Sequence, residues 1–293
     1  MKHAYLILAH NEFGLLQTLL DCLDDVRNDI YVHIDKKVRT MPALNTRRAG
    51  LQVLEERIDI RWGGFSMVEA EYALFEAAAA RGPYQYYHLL SGVDLPIKSQ
   101  DFIHAFFDQN DGKEFIGYTL TEMTPELVRR TQYWHLFPEH FSRKRNSLSL
   151  IRAACIRIQE ILGIRRNRRI DFKKGSQWVS ITETMTQYFL SHKTWVYQVF
   201  RGTFVPDECV MQTLCWMSPL RENLYNTQSD SLGCMRAIGW KEVSKTKSWQ
   251  LVDWTEADFG ALAQSPALFA RKFNSRDRAF IEKVVSLSDQ SIP

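Results

Sequence analysis

Residues 86–98 read Tyr-Tyr-His-Leu-Leu-Ser-Gly-Val-Asp-Leu-Pro-Ile-Lys. The first half is a short apolar and aromatic run with the composition of a buried strand. The second half breaks into Ser, Gly, Asp and Pro, the residues that turn a chain. Polar groups just past the end of a buried strand stand where an α/β protein binds ligands. An ordinary strand-to-loop turn has the same pattern.

Two further strand ends carry polar groups: His10-Asn11-Glu12 and Asp35-Lys36-Lys37. Arg61-Trp62-Gly63-Gly64-Phe65-Ser66 precedes a helical pattern. Such a helix start can receive an anion or a sugar hydroxyl, or Ser66 can serve as a plain cap. Pro206-Asp207-Glu208 puts two carboxylates in the first turn of a helix over residues 209–217, where the helix dipole favours acids. Residues 132–138, with Tyr133, Trp134 and His135, form an aromatic cluster in a loop. Between Arg143 and Lys174, eleven basic residues face only Glu160 and Asp171. A helix of amphipathic spacing lies among them at 149–162, the makings of a surface for anionic lipid. The same charge could steer an anionic substrate or form a solvated face.

The elements that must position these groups follow the chain. Residues 4–9 and 29–34 read as buried strands separated by a helix over 14–23, a βαβ unit expected to give parallel pairing and a right-handed crossover. A third strand is expected over 51–60 and a helix over 67–80, rich in Ala, Glu and Leu. After the 86–98 segment come a short helix (100–107), a strand (114–118), a strand approaching Ile181, a helix (182–190), a strand within 232–238, and a C-terminal helix led in by 266–273. The fold class is α/β. No internal repeat or low-complexity linker divides the 293 residues, and one domain is expected.

Composition excludes several classes. Neither a GxGxxG nor a P-loop motif occurs, which disfavours dinucleotide enzymes and P-loop NTPases. The net charge of +3 is too small to imply nucleic acid, and the basic stretch holds a single aromatic, Phe172, where a single-strand binder needs stacking platforms. The five cysteines form no CxxC pair, which argues against a zinc site and for reduced thiols in a cytoplasmic protein. No run of about 18 apolar residues is present.

Taken together, residues 4–10, 31–37, 62–70, 89–98, 175–178, 206–208 and 268–273 resemble the Core-2/I-branching family of β-1,6-N-acetylglucosaminyltransferases, which also includes peptide O-xylosyltransferases and bacterial relatives. The pieces follow the family's order. Leu-Ser-Gly-x-Asp-x-Pro-Ile-Lys and Leu-Phe-Ala-Arg-Lys-Phe are the most specific. The resemblance implies a GT-A type fold, a nucleotide-sugar donor and inversion at the anomeric carbon. Residues 1–110 would serve mainly the donor and 111–293 mainly acceptor and catalysis, with the basic helical insertion at about 143–174.

The family's branching members lack a metal-binding DxD, and no Asp here is followed two residues later by another. No divalent metal or other cofactor is therefore expected. By resemblance Glu208 is the general base, and Arg236 and Lys272 stabilise the leaving diphosphate. Asp35 holds the uridine, His10 lies beside the nucleotide, and Trp62 and Ser66 belong to the donor loop. Asp94 and Lys98 shape the turn next to the site, and Tyr133, His135 and Trp178 shape the acceptor side. The expected partners are a UDP-sugar, weighted by the family to UDP-N-acetylglucosamine with UDP-xylose, UDP-glucose and UDP-galactose left open, and a glycan or lipid-linked glycan. A non-catalytic nucleotide- or glycan-binding relic is the alternative, and the retained Pro-Asp-Glu argues against it.

Overall fold

The computed structural model describes residues 1–119, 121–140, 147–243 and 248–288. In chain order the elements are β1 (His3–Ala9), α1 (Phe13–Cys22), β2 (Asn28–Ile34), β3 (Gly50–Val53), α2 (Ser66–Ala79), β4 (Tyr86–Ser91), β5 (Leu95–Pro96), α3 (Gln100–Gln109), α4 (Pro125–Thr131) and α5 (Ser147–Ile161). They continue with β6 (Ser180–Thr182), α6 (Glu183–Ser191), α7 (Lys193–Phe200), α8 (Val210–Met217), α9 (Asp230–Cys234), β7 (Arg236–Ile238), β8 (Trp240–Val243), β9 (Ser248–Leu251), α10 (Phe259–Gln264), β10 (Phe269–Arg271) and α11 (Arg278–Ser288).

The central sheet has the order β3-β2-β1-β4-β6. Its first four strands run parallel and β6 joins antiparallel. Strand β1 is buried along its whole length, so its side chains alternate between two apolar layers. Leu6 and Leu8 face Val68, Tyr72 and Phe75 of α2. Tyr5 and Ile7 face Leu16, Leu19 and Leu20 of α1 and Ile281 of α11. Each such side chain contributes about 1.5–3 kcal/mol by leaving water. Helices on both faces of a mostly parallel sheet give the α/β, GT-A type architecture that the resemblance implies.

Several boundaries differ from the sequence reading. Pairing with β2 ends at Val53, so the strand expected over 51–60 is short and residues 54–65 run as a loop. Residues 114–118 make isolated bridges, Glu114 to Leu224 and Phe115 to Ser180, in place of a strand. The segment 232–238 divides into α9 and β7, because Met235 between them takes a left-handed φ of 54°. Residues 269–271 form β10, and the C-terminal helix starts later, at Arg278. Strand β10 lies between β5 and β7 in a second, three-stranded sheet.

At Gly175 the chain tolerates no side chain. A Cβ there would stand 1.8 Å from the Gly117 carbonyl oxygen, so backbone would have to move. Gly14, in α1, has open space around it. Gly175→Ala should therefore destabilise by about 1–3 kcal/mol or more, whereas Gly14→Ala should stabilise by up to about 1 kcal/mol. Urea unfolding of both variants checks this, and equal effects would contradict the close approach.

Candidate active site

Strand β4 ends against a turn that its own residues close. The Asp94 carboxylate accepts from the Ser91 amide at 2.9 Å and the Ser91 hydroxyl at 2.6 Å. The turn sits where the strand order reverses, since β1 has β2 on one side and β4 on the other. That crevice is where open α/β sheets bind ligands. His10, exposed, follows β1 at the same edge, and the Asp35 amide donates to the Ala9 carbonyl. Asp35 is buried, with its carboxylate accepting from the Lys37 amide and ammonium at 2.8 Å each. Lys37 also bridges to Asp59 and to the Ile60 carbonyl. The loop carrying Trp62 is thereby tied to the end of β2. Ser66 is turned back, accepting from the Arg61 amide at 2.8 Å. It closes this loop instead of capping α2.

Beyond the turn, β5 and β10 pair through Pro96 with Phe269 and Leu95 with Ala270. This brings Arg271 and Lys272 to the crevice. Arg271 lies 4.0 Å over the Trp178 ring and 3.8 Å from the Asp94 carboxylate. Its Nε and Nη1 are buried and hydrogen-bond to no described group. Burial lowers its pKa while Asp94 opposes the shift. Lys272 is half exposed and pairs with Asp253 at 3.2 Å. Arg236 is placed differently from the expectation. It is 1% exposed, and its guanidinium donates to the Ser180 hydroxyl and to the carbonyls of Cys234, Val179 and Leu89. Burial takes its pKa down to about 10. Lys98 lies over the Phe102 ring at 6.0 Å, at the start of α3.

Pro206–Glu208 forms a separate 3-10 turn, and α8 starts only at Val210. Val205, which leads into the turn, holds φ at 52°, a conformation β-branched residues rarely adopt. Its amide donates to the Gly63 carbonyl at 3.0 Å, and Phe204 meets Trp62 edge to face. Glu208 is partly exposed, and its Oε2 accepts from Arg130 at 2.9 Å with Lys174 at 3.9 Å. Asp207 beside it is buried. Burial, and then the Glu208 charge, push its carboxyl up to about 7. Glu71, which accepts from Gln177 at 2.9 Å, is raised well above the ordinary range by burial and by Asp207.

Residues 174–178 connect the two halves. Lys174 approaches Glu208, Gly175 donates its amide to the Glu208 carbonyl, Gln177 holds Glu71 and Trp178 stacks with Arg271. This one short segment therefore touches both the Glu208 turn and the Arg271 side chain. Tyr133 and His135 line a cleft of about 900 Å³, walled by α4, α5 and Phe204, and Arg130, the ion-pair partner of Glu208, lines it too. The His135 Nε2 donates to the Arg129 carbonyl at 2.8 Å, and burial lowers its pKa to about 4.

Arg271, Arg130 and Asp207 were not singled out from sequence. Arg271 stood inside the quoted Leu-Phe-Ala-Arg-Lys-Phe motif and Asp207 inside Pro-Asp-Glu. Arg130 carried no sequence signal.

A family model described as Core-2/I-Branching enzyme matches residues 3–265. No curated protein matches the chain.

Asp207 makes stability depend on pH. Its folded value of about 7 exceeds the ordinary 3.8. Between the two, the folded protein keeps a proton that the unfolded chain has released, so stability falls as pH rises from about 4 to about 7. Asp207→Asn cannot titrate. Its stability relative to wild type should climb across that window in chemical denaturation. A constant difference would show that Asp207 ionises normally.

Proposed function

From the premise that the chain belongs to the Core-2/I-branching enzyme family, we propose that this glycosyltransferase inverts the anomeric centre and works without a metal, moving a sugar from a UDP-sugar to a glycan hydroxyl. The observation that supports this most directly is the 174–178 segment, which joins a solvent-accessible carboxylate to a buried, stacked guanidinium. N-acetylglucosamine is the donor sugar we favour, on the family's weighting.

In this reading the nucleoside lies along the strand ends at His10 and Asp35, under the loop of Trp62 and Ser66. The acceptor hydroxyl comes in from the cleft lined by Tyr133 and His135 and gives its proton to Glu208. Arg130 and Lys174 both address Oε2, leaving Oε1 for that proton. The hydroxyl oxygen bonds to the anomeric carbon as the bond to the diphosphate oxygen breaks, and the electron pair leaves with UDP. Lys272 and Arg271 face the developing charge. Arg271 takes the place expected of Arg236, whose N–H groups are directed to main-chain carbonyls and Ser180. Arg236 then holds β7 against β4 and β6. Fixed cations need no reorganisation as charge moves onto the leaving group, which is the ground for proposing a metal-free reaction. The basic stretch brings the enzyme to the face of an anionic membrane. Arg143, Lys144 and Arg145 of that stretch lie outside the described residues.

Glu208→Gln should bind donor normally and lose about 10²–10⁴ in kcat. Near wild-type turnover would remove Glu208 as the base. Arg271→Ala and Lys272→Ala should each weaken UDP-sugar binding and slow transfer together, while Arg236→Ala should lower the melting temperature. Transfer should persist in excess EDTA, and manganese should not restore Lys272→Ala. Loss in EDTA reversed by manganese would overturn the metal-free step.

A further inference from the structure

Helix α5 is turned the opposite way from an ordinary surface helix. Its inward side carries Arg152, Cys155, Ile156 and Gln159. Gln159 is buried and bonds both the amide and the carbonyl of Trp134 at 2.9 Å. The outward side is apolar. At 100° per residue, positions 150, 151, 154, 158, 161 and 162 fall within an arc of about 120°. Those positions are Leu, Ile, Ala, Ile, Ile and Leu. The five large ones are between 49% and 71% exposed. A solvent-facing arc of this width marks an interaction surface.

The charge around the arc selects the partner. From Ser147 to Ile170 there are six arginines and one acid, Glu160. Glu160 is neutralised by Arg129 at 2.9 Å and Arg157 at 3.2 Å. A second copy docking by two-fold symmetry would set these arginines against themselves. An anionic bilayer complements them, and an amphipathic helix of this kind lies in the interface with its apolar face buried. The inward side of α5 also contributes Arg152 and Ile156 to the cleft, and its flank Arg157; Arg129, Arg130 and Arg165 line it as well, five arginines against Glu126 and Glu160.

Resting on the proposed glycosyl transfer, we infer that the acceptor is a lipid-borne anion. Helix α5 lies in the bilayer surface by its outer arc, and the arginine-lined cleft on its inner side receives a phosphate of the acceptor lipid. The acceptor thus reaches Glu208 without leaving the membrane.

The test is co-sedimentation of the full chain with three vesicle types at low ionic strength: phosphatidylcholine, phosphatidylcholine with phosphatidylglycerol, and phosphatidylcholine with hexadecyl phosphate at matched surface charge. Binding should be absent on the first, present on the second and about tenfold stronger on the third. Ile151→Asp with Ile158→Asp should weaken both charged-vesicle affinities by about tenfold or more, at unchanged melting temperature because both side chains already face water. Arg152→Ala with Arg165→Ala should erase the preference for hexadecyl phosphate. The inference is overturned if wild type ignores both charged vesicles, if the aspartate variant sediments like wild type, or if hexadecyl phosphate gives no advantage over phosphatidylglycerol. Uridine diphosphate binding, measured in parallel, reports the donor site alone. Its absence would count against the proposed transfer and leave the vesicle outcomes readable.

Discussion

Asp94 is fully buried, and a carboxylate in that position is tolerated only if its oxygens are satisfied. Ser91 supplies two donors and Arg271 a facing charge. These contacts hold the end of β4 in a tight return. The return aligns β5 with β10, and the neighbouring links from Phe273 to the Val93 carbonyl and from Ile97 to the Leu268 carbonyl lock it. The cation that faces the crevice is therefore placed by the same carboxylate that shapes the turn. Removing either partner would leave the other buried without its opposite charge.

Around the Glu208 turn, acids are packed more closely than their ordinary ionisation allows. Glu71 and Asp207 are buried, Asp230 is raised by burial too, and Glu208 shares the neighbourhood. They differ in solvent access. Glu208 reaches water and the cations Arg130 and Lys174, whereas Asp207 and Glu71 are held toward the protonated form.

How much of this was legible in the sequence depends on the range over which each feature is determined. Strands β1, β2 and β4 are continuous apolar runs buried on both faces, and their composition alone announces them. The turn after Leu90 and the Pro-Asp-Glu segment were visible because each is local. The β5–β10 pairing was not, since two residues in each strand carry no periodicity and their partners lie most of the chain apart. Arg236 and Arg271 are the same residue type near two strands of one sheet, and only the packing around Ser180 and Trp178 decides which one turns inward. The amphipathic spacing of 149–162 gave α5 an apolar side but not its direction. Gln159 bonding to Trp134 and the cleft-side arginines fix that rotation, and neither follows from helical periodicity.

The pairing of β5 with β10 also has a consequence for how the molecule comes into being. Contacts between distant segments form late, because closing a long loop costs entropy before any contact offsets it. The β1–β2–β4 sheet can assemble once the chain has been made through Ser91, whereas Arg271 and Lys272 can take their places only after synthesis has passed Lys272. Nascent and truncated chains can thus form much of the strand-end crevice without the two cations beside it. The two cations are thus the last of these groups to be placed.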